Sequence, residues 1–440
     1  MVANSLWRAL GICPGDVVAL TGGGGKTSLA AAVARELQAE GRPVIVTTTT
    51  KIFPAAEMDL VLAGGSSLSA VQAVLAQGRN VCVAERVEEG TGKLIGLAPE
   101  RIAALRGLGA GSVLVEADGS AGRPLKAPAA HEPMIPACAD LVVPVVGAGA
   151  LGRNLSAEVA HRVDHVAACA GVAVGDPITP GVMAAALLAC TKGTPQGARV
   201  VPVIGQADLD GTEAAAEEIA GLLAGQAGIG RVVVAAPRTL TPVRRVHGEV
   251  SALVLAGGAS RRFGGAKLLH PWAGKTLVEA SLMAPLRAGM REVLLVTGAY
   301  HQELVKILAQ YPVRLVYNPD WAEGMSTSVR AGLAAITAGP DLQGLLICLA
   351  DQPLLPSRVP DALAEAFRRT RSAVIAPVLG GSRRNPVLFR RDLFAELAAV
   401  EGDEGGRSVV QRHLAQIHLV EFTEPGWFQD VDRPSDLPDR

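Results

Sequence analysis

The chain has 440 residues, 49% of them apolar and 19% charged, with a formal net charge of -1. That composition excludes an intrinsically disordered chain, and the balanced charge excludes an electrostatic attraction to nucleic acid or to a membrane surface. The length calls for two or three domains.

The 6 cysteines (Cys13, Cys82, Cys138, Cys169, Cys190 and Cys348) are scattered, with no C-x-x-C pair. This argues against a zinc or iron–sulfur site and fits reduced thiols. The opening stretch MVANSLWRALGICPGD lacks a basic-then-apolar leader. No apolar run reaches the ~20 residues of a membrane span. A cytoplasmic protein with no nucleic-acid and no membrane partner is expected.

In chain order, a short helix over the first residues leads to Pro14-Gly15, and Asp16–Thr21 reads as a strand. Gly22-Gly23-Gly24-Gly25-Lys26-Thr27 follows, and then the helical run Ser28–Glu40. Strand, glycine loop, Lys-Thr and helix are the context of a P-loop. The glycine amides and the helix N-terminus would hold phosphate oxygens, Lys26 would reach the terminal phosphates, and the Thr27 hydroxyl would sit on Mg²⁺. The G-x-x-x-x-G-K-[ST] pattern has glycine where this chain has Leu20. The loop is closer to the G-G-x-G-K-T variant of ATPases that handle partner proteins and metals, with Thr21 in place of that group's extra lysine. A glycine turn packed against the sheet is the alternative.

Pro43–Thr48 is a second strand, running into Thr49-Thr50-Lys51, and Ser112–Glu116 is a third. Glu116 and Asp118 then stand at a strand's C-terminal end, where an α/β sheet places ligand chemistry, and Mg²⁺ binding is their expected role. A solvated turn is the alternative. Asp140–Val146 and Val200–Asp208 are further strands. The ending of the last resembles the base-reading N-K-x-D of GTPases, a pattern that Gln206 and Ala207 break, and no role is assigned from it. Ala236–Glu249, with prolines, basic residues and no clear period, reads as a linker between domains 1–240 and 250–440.

The second half opens on Val250–Pro271, VSALVLAGGASRRFGGAKLLHP. An apolar run that makes a buried parallel strand ends in Gly257-Gly258, and Arg261, Arg262 and Lys267 surround the loop with positive charge. A pyrophosphate or triphosphate needs donors on several sides. The expected nucleotide contacts are Leu255, Ala256, Gly257, Gly258 and Arg262, with Lys267 and Arg261 acting on the reacting phosphates. Strands at Glu292–Thr297, Val313–Tyr317, Gly344–Ala350 and Ala373–Val378 alternate with helices at Thr276–Gly289, His301–Gln310, Ser326–Thr337 and Pro360–Thr370. The chain is thus expected to be α/β, with two doubly wound parallel-sheet domains: a P-loop-like one and a Rossmann-like one. Asp351 closes a strand and precedes Gln-Pro, so it points into the nucleotide crevice. Asp432, just before Pro434-Ser435, is placed to be a helix N-cap. Asp430, two residues earlier, faces the other way if that segment is extended. Ser326 and Ser328 touch ribose or cap a helix.

The spacing L-A-G-G-x-S-x-R-x-G-x-x-K-L resembles the signature of nucleotidyltransferases that activate sugars, lipid precursors and molybdopterin. Within that group the chain is most similar to the MobA-like molybdenum cofactor cytidylyltransferases. Asn318–Ser328, Leu349–Pro353, Arg384–Phe389, Gly402–Arg407 and Asp430–Pro434 look like blocks of the same family, which together cover about residues 250 to 437. The resemblance implies transfer of CMP from CTP to molybdopterin with release of pyrophosphate, Mg²⁺ on Asp351 and Asp432, and an acceptor facing Asn385, Pro386 and Asp403. Cytidylyl enzymes more usually carry A-A-G where this chain has Ala256-Gly257-Gly258; A-G-G is commoner in guanylyl relatives, so GTP stands as the alternative to CTP. A sugar-phosphate nucleotidyltransferase and a non-catalytic cofactor delivery protein are the other readings.

TTTTK, EADGSAGRPLKAP, HEP and GAGALGR, within about residues 5 to 240, resemble the YqeC-like proteins, accessory proteins of selenium-dependent molybdenum hydroxylases. That resemblance implies a second nucleotide on the first domain and a molybdenum hydroxylase apoenzyme as partner.

Overall fold

The computed structural model describes residues 4–54, 58–64, 68–209, 211–224, 226, 228–336, 339 and 341–437. The chain divides into two compact units, Met1–His247 and Gly248–Arg440. Among the described residues no helix is long and apolar enough to cross a membrane.

The first unit is built on one large sheet. Its main strands are β1 (Val17–Gly22), β2 (Ile45–Thr48), β3 (Asp59–Leu62), β4 (Val81–Ala84), β5 (Val113–Glu116), β6 (Leu141–Gly147), β7 (Val203–Gly205), β8 (Val232–Ala235) and β9 (Val243–His247), with the short Arg199–Val200 also pairing along β6. They lie in the order β9-β8-β7-β6-β1-β5-β2-β4-β3, all neighbours parallel except β8 and β9. Every residue of β1 is buried, and alternate side chains serve opposite faces. Val18 and Leu20 pack with Leu29, Val33 and Leu37 of helix α1 (Lys26–Ala39), whereas Val17 and Ala19 join Ile102 and Leu105. Coverage on both faces is why these strands read as unbroken apolar runs.

Two strands here escape the apolar-run rule, β3 and β9, which are only partly buried. The last overturns the linker expected at 236–249. Val243 and Val246 pack onto the first unit's core, and Arg245 pairs with Glu217 at 2.9 Å, so this basic stretch is an antiparallel edge strand.

The second unit carries β10 (Val250–Ala256), β11 (Val293–Thr297), β12 (Arg314–Tyr317), β13 (Gly344–Leu349), β14 (Val374–Leu379), β15 (Ser382–Arg383), β16 (Val387–Arg390) and β17 (Ile417–Glu421). The order is β12-β11-β10-β13-β16-β14-β15, with β17 beside β14. Strands β10 to β13 are parallel, as expected, but β16 runs antiparallel to both β13 and β14. The sheet is therefore mixed, not wholly parallel. The reason is connection length: Gly380 and Gly381, both at positive φ, turn the chain straight back into β15, and no dozen-residue crossover separates β14 from β16. The helix expected over Ser326–Thr337 is α2 (Met325–Ala335); Thr337 lies outside the described residues. The chain winds from β10 outward through β11 and β12, then returns to β13 on β10's other side. The crevice at the C-terminal ends of β10 and β13 is thus a topological switch point, where open α/β sheets bind ligands.

Candidate functional site

β10 and β13 pair in register, with Leu255 opposite Leu349. Their ends feed the Gly257 loop and the Ala350-Asp351 turn into one place. Lys267 returns to that edge in a short turn (Lys267–Leu269), its Nζ 2.7 Å from Asp351 Oδ2 and 3.4 Å from Asp432 Oδ1. Three residues far apart in sequence thus meet. Asp432 does not cap the turn that follows it. Asp436 does so, accepting from the N–H groups of Asp432 and Arg433 at 2.8 Å each, which leaves the Asp432 carboxylate turned to Lys267.

A cavity of about 610 Å³ opens here, lined by Leu255, Ala256, Gly257, Gly258, Arg261, Arg262, Lys267, Ser328, Asp351, Asp403 and Asp432, among others. Arg261 and Arg262 are exposed and make no side-chain hydrogen bond or ion pair among the described residues, so their charge is uncompensated. Gly257 is required by close approach: a Cβ there would lie 2.8 Å from Ser328 Oγ. Asn318, which pattern reading left without a role, fixes that hydroxyl. Its buried Nδ2 donates to Ser328 Oγ at 3.0 Å and to Thr327 Oγ1 at 2.8 Å. Ser326 does not share the site: it is 1% exposed, its N–H donates to Gly402 O at 3.1 Å, and two helical positions from Ser328 it faces elsewhere.

A second cavity of about 640 Å³ adjoins the first and shares Leu255, Met325, Leu349 and Asp403 with it. Arg383, Arg384, Asn385, Arg407 and Asp430 line its other sides. Pro386 is buried beside Asn385. Asp403 stands between the cavities and accepts from the Met325 N–H at the start of α2 at 3.3 Å. Asp430 and Asp432, two residues apart, turn to different cavities. Burial and the nearby Asp351 charge push the Asp430 carboxyl up, although Gln352 Nε2 donates to it at 2.9 Å.

Asp351 Oδ1 is buried without a hydrogen-bond partner, a hard oxygen available to a cation. Among the described residues no group of three or more His, Cys, Asp or Glu could hold a metal ion. The Asp351 and Asp432 carboxylates suit a divalent cation that completes its shell with phosphate and water.

In the first unit, Gly22–Gly25 lead from β1 into α1. Gly24, at φ +71, packs so close to Gly147 N that a Cβ would lie 2.0 Å away. Gly23 is buried like Gly22, and Gly25 is exposed. Lys26 is folded inward: its ammonium donates to Gly22 O and lies 3.1 Å from Asp118 Oδ1. Thr27 hydrogen-bonds Glu116, whose carboxyl is raised by burial against the opposing pull of Lys26 and Thr27. Thr27 and Glu116 thus stay together as a candidate metal pair. Asp118 does not offer a free carboxylate. It is fully buried, accepting from Gly22 N–H at 3.0 Å and pairing with Lys26 and with Lys126, each at 3.1 Å. Lys126, also fully buried, reaches Glu132 at 2.8 Å, and Glu132 pairs with Arg162. This network of EADGSAGRPLKAP and HEP is the part sequence patterns did not reveal.

Fold and site together define an α/β nucleotidyltransferase-type domain joined to a second α/β unit with its own glycine loop. The YqeC protein family matches residues 18–164, and the MobA-like NTP transferase domain family matches residues 252–417. Escherichia coli YqeC is 39% identical over 158 residues, covering 36% of this chain and 61% of that protein, so the chain spans less than two thirds of that relative. The nicotine blue oxidoreductase of Paenarthrobacter nicotinovorans is 33% identical over 190 residues, covering 42% of this chain and 92% of the relative. The E. coli molybdenum cofactor cytidylyltransferase is 24% identical over 189 residues, covering 43% and 93%. The chain belongs to the MobA-like NTP transferase family through its second unit and carries a YqeC domain in its first.

Proposed function

We propose that the second unit transfers CMP from CTP to the terminal phosphate of molybdopterin. The observation that carries this reading is the pair of cavities sharing one wall at the ends of β10 and β13. One holds Lys267, Asp351 and two uncompensated arginines suited to a triphosphate; the other offers Arg383, Arg384 and Arg407 to an anionic acceptor. An acceptor phosphate oxygen attacks the α-phosphorus, the bond to the β-phosphate oxygen breaks, and pyrophosphate leaves. The loop amides with Arg261 and Arg262 hold the triphosphate, and Lys267 meets the charge that grows on the departing phosphates. Mg²⁺ on Asp351 and Asp432 would supply neutralisation of the triphosphate's charge.

The first unit takes a second nucleotide at Gly22–Thr27 and serves maturation of a molybdenum hydroxylase apoenzyme in the cytoplasm. Its support is the match to YqeC together with the strand–loop–helix context of β1 and α1. Gly257 favours one rival, guanylyl transfer, because position 257 is where the cytidylyl pattern has alanine. Turnover with CTP, GTP and ATP on molybdopterin and on a panel of sugar 1-phosphates, read as pyrophosphate release, decides. Release with CTP and molybdopterin alone supports the proposal; release with GTP alone, or with a sugar phosphate, replaces it. No release, with copurification of a hydroxylase apoenzyme, makes this a delivery protein.

A further inference from the structure

A small cavity of about 190 Å³ opens beside the first unit's glycine loop, lined by Gly24, Gly25, Ser28, Gln206, Asp208 and Arg238, among others. It is smaller than the ~300–1,000 Å³ of drug-sized sites and suits a single planar ring system. Its polar wall follows β7, whose C-terminal end shares the sheet edge with the loop after β1. Gln206 is held in the left-handed region, at φ +60, an uncommon conformation for a non-glycine residue. Its Oε1 accepts from the Gly149 N–H at 3.3 Å, which leaves Nε2 as the donor that remains. Gly147 makes room for that amide, since a Cβ there would lie 2.3 Å from Oε1. Asp208 is exposed and makes no hydrogen bond or ion pair among the described residues. The Arg238 guanidinium is anchored by Ser28 Oγ, at 3.2 Å from Nε and 2.9 Å from Nη2, and supplies a flat cationic surface.

We propose that this cavity seats the base of a guanine nucleotide whose phosphates lie on Gly22–Thr27. The inference rests on reading that loop as a phosphate site and adds the identity of the base. A donor amide next to a free carboxylate is the complement of one purine edge. Guanine offers O6 as acceptor, to Gln206, and N1–H with N2–H₂ as donors, to Asp208. Adenine presents the reverse order, so its N1 lone pair would face the Asp208 carboxylate. A site built to hydrogen-bond such groups rejects the analogue that leaves them unpaired.

The test measures binding of GTP, XTP and ATP to the full chain, with CTP saturating the second unit, for the unaltered protein and for Asp208→Asn and Lys26→Ala. GTP should bind more than about tenfold tighter than ATP. Asp208→Asn should lose GTP affinity and gain XTP affinity, because an amide N–H₂ donates to the carbonyl that xanthine carries in place of guanine's amine. ATP binding as tight as GTP, or GTP binding unchanged in Asp208→Asn, overturns the base assignment; if Lys26→Ala still removes that binding, the phosphate loop survives. If no triphosphate binding responds to Lys26→Ala, the phosphate loop itself falls.

Discussion

Lys26 and Lys267 each close a glycine loop after a buried strand, and each rests on carboxylates at a strand end. Around Lys26 the carboxylate is Asp118, fully buried and shared with Lys126, so the charges are satisfied inside the protein. Around Lys267 the partners are Asp351 and Asp432, with side chains 21% and 53% exposed, and a 610 Å³ cavity lies in front of them. The first arrangement is closed, so Lys26 must turn outward to reach a phosphate; the second is open and faces a ligand-sized space. The same residue types at the same topological place therefore carry different work, decided by whether the carboxylate already has a second cation.

The strongest challenge to this contrast is Asp118→Ala. It leaves Lys26 and Lys126 buried without their shared counter-charge, and breaking a buried pair in this way costs about 3–5 kcal/mol. Hydrogen exchange should show lost protection in β1 and α1, with β10 and β13 unaffected; unchanged protection in β1 would mean that Asp118 is no structural partner.

Lys267→Ala comes next. It should leave the second unit folded and slow transfer by about 3 kcal/mol in activation free energy. Lys26→Ala should leave transfer mostly intact. Two variants that stop pyrophosphate release equally would erase the distinction between the sites.

Asp432→Ala should act more mildly than Lys267→Ala, raising the Mg²⁺ needed for half-maximal rate. Combined with Asp351→Asn it should lose less than the sum of the single losses, because both would act through one ion. A Mg²⁺ titration that matches the unaltered protein would leave Asp351 as the metal's one carboxylate.

The smallest effect is in pH. Burial acts to raise the Glu132 carboxyl, but its hydrogen bonds to Arg162 and Lys126 outweigh that and hold it at about 2, against an ordinary 4.5. A depressed carboxyl stabilises the folded state above its unfolded value, and that contribution is lost as pH falls from 4.5 toward 2. Denaturation curves across that range should fall less steeply for Glu132→Gln; parallel slopes would show that the pairing does not favour folding.

Both glycine loops and the parallel cores around them were readable in the sequence. A strand buried on both faces must be an unbroken apolar run, and a phosphate loop must follow its C-terminal end, so DVVALTGGGGKT and SALVLAGGASRR declare themselves locally. Asp351 was readable for the same reason, since it closes such a run. The antiparallel β16 was not, because strand direction is set by the Gly380-Gly381 turn and by which neighbour has an open edge. The edge strands β3 and β9 are short or half-buried, so alternation and apolarity leave little trace in them. Asp118 and Asp351 look alike as acids at strand ends. Only the folded chain separates them, because Lys126 folds back to bury one charge and the crevice at the C-terminal ends of β10 and β13 leaves the other facing solvent. Sequence can name the groups that carry charge; which of them are neutralised internally depends on long-range contacts, and those exist only once the sheet has formed.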